Sequence, residues 1–258
     1  MSRRAPMTSR IPLKDAHAQD LMRKAGRVVA LALAKIGDMV RPGVTTGELD
    51  AVAEQTIRGL GAVPAFLGYN GYPATACISL NEEVVHGIPG PRVLAAGDIV
   101  GVDLGAIVEG WYADAAYTFA VGEVSETARH LMAVGQQALV MGIEAARVGN
   151  EVRDIGGAVQ RYAEAHGASV VRDLCGHGVG QKLHEEPQIP NYLTRNGHIP
   201  LVAGMTLAIE PMLNAGGPRV RLLSDDWTFV TMDGSLSVHY EHTVLIREDG
   251  PEILTALR

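Results

Sequence analysis

Residues 98–119, DIVGVDLGAIVEGWYADAAYTF, form the most informative segment of the sequence. Two apolar runs meet at Glu109-Gly110, a pair typical of the turn in a β-hairpin. If these two residues are the turn, Asp114 lies opposite Gly105, and Asp103 is its diagonal neighbour on the same face. Two carboxylates placed in this way repel each other unless they are protonated or neutralised by cations. The alternative is that both lie on a solvated face.

Two further acids fall in apolar runs later in the chain. Glu210 ends the run 205–209, and Glu241 lies within the run 237–246, which we expect to be one strand. Each alone would suggest a strand-end or salt-bridged acid, because charged side chains are rarely buried without a partner. Four such acids, together with His177 between two glycines, are better explained by a metal site.

The candidate ligands indicate the kind of metal. Four carboxylates and one imidazole carry about −4 of charge, which two divalent cations would balance, and oxygen-rich ligation suits Co, Mn, Fe or Zn. Two such ions side by side are typical of hydrolytic enzymes. The glycine-rich segment around His177 has neither a P-loop nor a dinucleotide fingerprint, and the chain lacks the His-Glu-x-x-His motif of helix-borne zinc sites.

Composition argues against several other classes of protein. The 258 residues are 47% hydrophobic and 20% charged, which is typical of a globular protein, and the net charge of −7 argues against sequence-specific nucleic-acid binding. Only two cysteines occur, so we expect a reducing compartment, the cytoplasm. The apolar run near the N-terminus is too short for a membrane span, and we expect neither a signal peptide nor a membrane partner.

An internal duplication is the main feature of the chain's organisation. Two amphipathic helices separated by Pro42-Gly43 are echoed 106 residues later by two helices separated by Gly149, although coincidence is the alternative. We predict an α+β fold with a central antiparallel sheet, outer helices and pseudo-two-fold symmetry. A flexible basic tail at 1–12 would precede one domain at 13–258. The strand-like runs are 76–80, 98–108, 111–119, 169–172, 205–209 and 237–246.

The order and context of the five candidate ligands resemble those of type I methionine aminopeptidases, which have the pita-bread fold. The resemblance runs from residue 23 to residue 246. The ligand set is common to the whole pita-bread family, whereas the segments LGYNGYP (67–73), CISLNE (77–82) and HEEP (184–187) carry the similarity to the type I enzymes.

The resemblance implies a dinuclear metal site. Asp103 would bind one ion, and His177 and Glu210 would bind the other. Asp114 and Glu241 would bridge the two ions. Glu210 would also act as the general base on the attacking water.

The resemblance also implies residues that bind and activate the substrate. His184 would bind the scissile amide and stabilise its oxyanion, and His86 would contact the peptide backbone and assist departure of the new amine. The methionine side chain would lie in a pocket formed by Tyr69, Tyr72, Cys77, Leu183 and Trp227. Two positions differ from the usual pattern: Leu183 stands where an aromatic residue is common, and Asn70 where a histidine is frequent.

The activity implied by the resemblance is removal of the initiator methionine from nascent proteins and peptides whose second residue is small. We expect a monomer whose partners are the N-termini of nascent polypeptides, with a transient ribosome contact through the basic tail. The alternatives are a prolidase or proline aminopeptidase, which share the metal set but normally carry an additional N-terminal domain, and a non-catalytic family member that binds a partner.

Overall fold

The computed structural model describes residues 11–195 and 197–256. Its helices are α1 (Ala16–Met39), α2 (Thr46–Gly59), α3 (Glu126–Ala145) and α4 (Val152–Ala165), and a 3₁₀ turn covers Tyr69–Gly71. Its strands are β1 (Val63–Pro64), β2 (Ala76–Leu80), β3 (Glu83–Val85), β4 (Ile99–Val108), β5 (Trp111–Ala120), β6 (Ser169–Val170), β7 (Gly176–Gly178), β8 (Glu185–Ile189), β9 (Thr206–Ile209), β10 (Met212–Asn214), β11 (Val220–Leu222), β12 (Phe229–Thr231), β13 (Ser237–His239), β14 (His242–Arg247) and β15 (Gly250–Ile253).

The central hairpin β4–β5 has the predicted register. Val108 pairs with Trp111, and Gly105 pairs with Asp114. Glu109 and Gly110 both have left-handed backbone, with φ of 50° and 83°. A tight two-residue hairpin turn needs this conformation because its twist matches that of the strands it joins. Asp103 and Asp114 therefore share one face of the hairpin.

The internal duplication is visible in the local geometry of both halves. Gly43 and Gly149 have φ of 93° and 96°, and each lies just before the second helix of its pair. At the start of that helix, Glu48 accepts from the N–H of Thr45, and Asp154 accepts from the N–H of Glu151. Each pair is 106 residues from its counterpart. Matching backbone and capping at one offset confirm the predicted duplication.

Each half of the molecule has its own apolar core. Helices α1 and α2 pack against the sheet of order β1-β4-β2, to which β5 is joined through β4. Helices α3 and α4 cover the sheets of order β15-β14-β9-β7-β8 and β13-β10-β6. The pairings described are antiparallel, and the helices lie outside the sheets. The α+β expectation is thereby confirmed, and the two halves meet where β5 approaches β14.

The single strand expected over 237–246 is wrong, because this run forms two strands. Strand β13 pairs with β10, whereas β14 pairs with β9. The ladder is interrupted where Pro211 offers no N–H and where Glu241 turns its N–H to Ala116 O on β5, at 2.9 Å. The register is continuous across the gap, so Glu210 lies opposite Glu241.

The start of the described chain is more tightly packed than the expected tail boundary implies. Ile11 is 8% exposed and belongs to the core under α3 and α4. Residues 1–10, where most of the expected basic tail falls, lie outside the described residues. The flexible tail expected over residues 1–12 therefore stays a prediction for residues 1–10, whereas Ile11 is packed in the core. Among the described residues, no helix is long and apolar enough to cross a membrane.

Candidate metal centre and active site

The five candidate ligands converge from both halves of the duplication. The hairpin of the first half contributes Asp103 and Asp114, and the second half contributes His177 on β7. Glu210 and Glu241 occupy the interruption between β9–β14 and β10–β13. Because the strands are interrupted at these two acids, neither acid is part of the sheet ladder. Both carboxylates turn toward the hairpin.

His177 lies between two carboxylates. Its Nε2 is 3.5 Å from Asp114 Oδ2 and 3.5 Å from Glu210 Oε1. One ligand atom each from Asp114, His177 and Glu241 lies within 4.8 Å of the others. The Nδ1 of His177 is 3.0 Å from the carbonyl oxygen of Gly178, which can only accept a hydrogen bond. A hydrogen therefore lies on Nδ1, and Nε2 is the ring atom that faces the carboxylates and would bind a metal ion, as in metal-binding histidines.

The electrostatics of the cluster call for cations. Burial raises the pKa of Asp103 and of Glu210 to about 8. Burial also raises the pKa values of Asp114 and Glu241, and for Glu241 the neighbouring carboxylates add to the effect. Asp103 Oδ1 has no hydrogen-bond partner among the described residues. An oxygen-rich set with one imidazole therefore fits divalent cations, which would replace protons as the counter-charge.

Two side chains that the sequence analysis did not single out support the cluster. Thr243 Oγ1 is 2.9 Å from Asp114 Oδ1 and accepts the N–H of Asp114 at 3.1 Å. His239 is buried, and its Nε2 is 3.6 Å from Glu210 Oε2. Each is two residues from Glu241, and alternation along a strand places such residues on one face. That spacing was the signal that could have identified them.

A cavity of about 360 Å³ opens beside the cluster. It brings together all the residues expected to bind or activate the substrate, and Asn70, Phe66 and Met212 also line it. The roles expected for the substrate-binding and substrate-activating residues stay predictions, since their position in the cavity does not test those roles. The expected residues that line it are His86, Tyr69, Tyr72, Cys77, His184, Leu183 and Trp227.

Two uncharged histidines face the cavity. Partial burial lowers the pKa of His184 to about 4, and deeper burial does the same for His86. The ring of His184 is 4.2 Å from that of His177, and its Nδ1 is 2.7 Å from the hydroxyl of Tyr69. His86 has left-handed backbone, with φ of 61°. At neutral pH both imidazoles can donate one hydrogen bond without adding positive charge beside the metal ligands.

Comparison with known proteins identifies the class. The profile of metallopeptidase family M24 matches residues 20–248, so the chain belongs to this family and uses divalent metal. The chain is 51% identical over 249 residues to the methionine aminopeptidase of Clostridium perfringens, covering 96% of this chain and 100% of the relative.

Solved structures place the chain within the same family. The methionine aminopeptidase of Thermotoga maritima superimposes with a TM-score of 0.94 at 44% identity, covering 96% of this chain and 100% of that one. The prolidase of Pyrococcus furiosus has a TM-score of 0.78 at 25% identity, and only 66% of its length is covered. These neighbours confirm the pita-bread fold and favour the methionine aminopeptidases over the prolidases.

Proposed function

We propose that the chain removes the N-terminal methionine from polypeptides whose second residue is small, by hydrolysis at a pair of divalent metal ions. The observation that carries the proposal is the junction of the buried acid cluster with an aromatic-lined cavity that holds both uncharged histidines. The similarity to methionine aminopeptidases over nearly the whole chain supports the same activity.

The cavity lining suits a thioether side chain. The rings of Tyr72 and Trp227 meet edge to face with centroids 4.9 Å apart. The hydroxyl of Tyr72 donates to the carbonyl oxygen of Gly87 at 3.0 Å, which fixes the ring. Burial raises the pKa of the Cys77 thiol, so this group stays uncharged. Sulfur beside aromatic rings is favourable, and a methionine side chain would find that contact here.

The donor set supports two ions rather than one, because four carboxylates would leave a single divalent cation with surplus negative charge. Co, Mn, Fe or Zn fits these donors. Asp103 would hold one ion, His177 and Glu210 the other, and Asp114 and Glu241 would be shared. When bound, the ions would polarise the scissile carbonyl and lower the pKa of a water molecule.

Side chains would carry out the proton transfers and stabilise the developing charge. The carboxylate of Glu210 faces the cluster and would accept the proton of the attacking water. His184, fixed through Nδ1 by Tyr69, would donate from Nε2 to the carbonyl oxygen as negative charge develops there. His86 would bind the peptide backbone and assist departure of the amine.

We expect the active site to accept only a small second residue. We expect His86 and the turn Tyr69–Gly71 to lie beside the side chain of the substrate's second residue. At this turn, Asn70 has a shorter side chain than the histidine that is frequent at its position. Overlap of a large side chain with a packed wall costs a few kcal/mol, and each ~1.4 kcal/mol is tenfold in rate. Alanine, glycine and serine would therefore pass, whereas lysine and leucine would not.

The test is methionine release from two tripeptides that differ only at the second residue. EDTA-treated protein reconstituted with each metal in turn should release methionine from Met-Ala-Ser and not from Met-Lys-Ser, and EDTA should abolish the release. Comparable kcat/KM for both peptides would contradict the small-residue wall. Preferential cleavage of Ala-Pro would place the chain with the prolidases, and no cleavage with bound metal would support a non-catalytic partner-binding member.

We also propose where this activity operates. Nascent polypeptides in the cytoplasm carry the N-terminal methionine that the cavity suits, and a single chain contains the complete ligand set, so a monomer suffices. The proposed ribosome contact depends on the basic residues of the tail, Arg3, Arg4 and Arg10, which lie outside the described residues.

A further inference from the structure

A second cavity, of about 720 Å³, adjoins the one that would hold methionine. The two share Cys175, His177 and His184. We call the second cavity the outer groove, and define it by its lining residues Leu13, Trp111, Gln181, Lys182, Glu185 and Gln188, with Lys14 beside Glu185. The outer groove thus borders His177 and His184 of the reacting centre, and its other lining residues do not line the methionine cavity.

The floor of the outer groove is rigid. Lys14 and Glu185 form a buried ion pair at 2.7 Å, with side chains only 2% and 9% exposed. The second oxygen of Glu185 accepts the N–H of Gln181 at 2.8 Å. The N–H of Tyr112 donates to Gly180 at 2.8 Å, which ties the β4–β5 hairpin to the same loop. A groove with a fixed floor needs little ordering when it binds a ligand.

The rim of the outer groove has groups available for a ligand. Leu13 is 56% exposed although it borders a cavity. The side chains of Gln181, Lys182 and Gln188 are exposed, and none has a hydrogen-bond or ion-pair partner within 11–195 and 197–256. Amide side chains offer a donor and an acceptor, which is what an extended peptide backbone requires. Leu13 and Trp111 offer apolar surface for a side chain.

We infer that the outer groove binds the substrate polypeptide from its third residue onward. The inference rests on the proposed function, because only a peptide anchored by its first residue has a chain that must leave the reacting centre. An extended chain advances ~3.3 Å per residue, so residues three to five span about 10 Å. Gln181 and Gln188 hydrogen-bond the peptide backbone, and an apolar side chain at the third to fifth position packs on Leu13 and Trp111.

The test compares the dipeptide Met-Ala with the hexapeptide Met-Ala-Ser-Leu-Ser-Lys. The full-length, metal-loaded enzyme should have a higher kcat/KM for the hexapeptide. In Leu13→Asp that value should fall about tenfold, mainly through KM, with Met-Ala unaffected, because burying a leucine side chain contributes a few kcal/mol. Gln188→Ala should lower it about threefold, the size of a neutral hydrogen bond. The matched control is Leu193→Asp, whose leucine is 57% exposed and does not line the groove.

The outcomes separate this inference from the proposed function. Equal kcat/KM for both peptides in the wild-type enzyme, unchanged in Leu13→Asp, would overturn the groove and leave methionine removal standing. A lack of release from either peptide would instead remove the proposed function. A hexapeptide kcat/KM that falls as enzyme concentration rises, with Met-Ala unaffected, would assign the groove to a second copy of the chain and would also overturn the inference.

Discussion

The hydroxyl of Tyr69 lies 2.7 Å from Nδ1 of His184. Because partial burial lowers the pKa of His184 to about 4, its ring is uncharged at neutral pH and carries one hydrogen. A hydroxyl that donates to Nδ1 keeps that hydrogen on Nε2, where it can serve an oxyanion. Tyr69 thus joins the wall of the methionine cavity to the orientation of a candidate catalytic histidine.

Removing this hydroxyl tests the relationship. In Tyr69→Phe we expect kcat on Met-Ala-Ser to fall about tenfold with little change in KM, because the aromatic wall remains while the histidine loses its orientation. His184→Ala should retain metal and lose about 10²-fold in kcat, the size of losing one oxyanion donor. The double variant should be no slower than His184→Ala, and additive losses would show that the two residues act separately.

Removal of a metal ligand should separate stability from metal binding. We expect Asp103→Ala and Glu241→Ala to abolish turnover and weaken metal binding, measured by titration calorimetry. The metal-free Tm should stay equal or rise, because a buried acid with a strongly raised pKa is removed. Glu123→Ala changes an exposed acid and should alter neither quantity. Undiminished activity in either ligand variant would contradict the dinuclear site.

The metal-free protein should lose stability as pH rises. Burial raises the pKa of Asp103 and Glu210 to about 8, whereas these groups titrate near 4 in an unfolded chain. Burial lowers the pKa of His86 and His184 to about 4, so below about pH 6.5 these two groups oppose the effect of the carboxyls. Between about pH 6.5 and pH 8 the carboxyls dominate, the folded state holds more protons, and its free energy of unfolding falls with increasing pH. Urea unfolding in EDTA from pH 6.5 to pH 8.5 measures the slope.

Metal should reverse this pH dependence. Bound cations replace the protons, so metal-induced stabilisation should grow with pH, and calorimetry in two buffers should show proton release. A metal-free unfolding free energy that is flat over the same range would show that these carboxyls are already ionised in the folded protein.

Asn70 should widen the range of accepted second residues. Its backbone is left-handed, with φ of 50°, a conformation asparagine tolerates, and it lines the cavity beside Tyr69. We expect Met-Val-Ser to be cut within about tenfold of Met-Ala-Ser, since each ~1.4 kcal/mol of overlap is tenfold. Asn70→His should lower the rate for Met-Val-Ser selectively. An unchanged ratio of the two rates would show that this position lies away from the second side chain.

Much of the fold could be predicted from short-range signals. The turn at Glu109-Gly110 fixed the hairpin register because a two-residue turn allows one pairing, and repeated glycines at one offset revealed the duplication. The break beside Glu241 could not be predicted, because it depends on Ala116 accepting a hydrogen bond from a strand far along the chain.

The candidate site was predictable to a similar extent. Acids in apolar strands draw attention because ionised burial is costly, so the four acids were identified from the sequence, and His177 was identified by the glycines on either side of it. The supporting residues His239 and Thr243 are of kinds that cores often contain, so their spacing of two residues from Glu241 is the one sequence signal, and their distances to Glu210 and Asp114 establish their position. The outer groove is formed by segments from the start, middle and second half of the chain, and local patterns carry no information about such a junction.

The duplication divides the chemistry unequally between the two halves. The earlier half carries Asp103 and Asp114, while His177, Glu210 and Glu241 belong to the later one, so neither repeat alone can assemble the centre. Glu241 lies between β13 and β14 of the later half, whereas Asp103 lies on β4 of the earlier one. Either half folded by itself would therefore be inactive, and hydrolytic competence reports that the two halves have folded against each other.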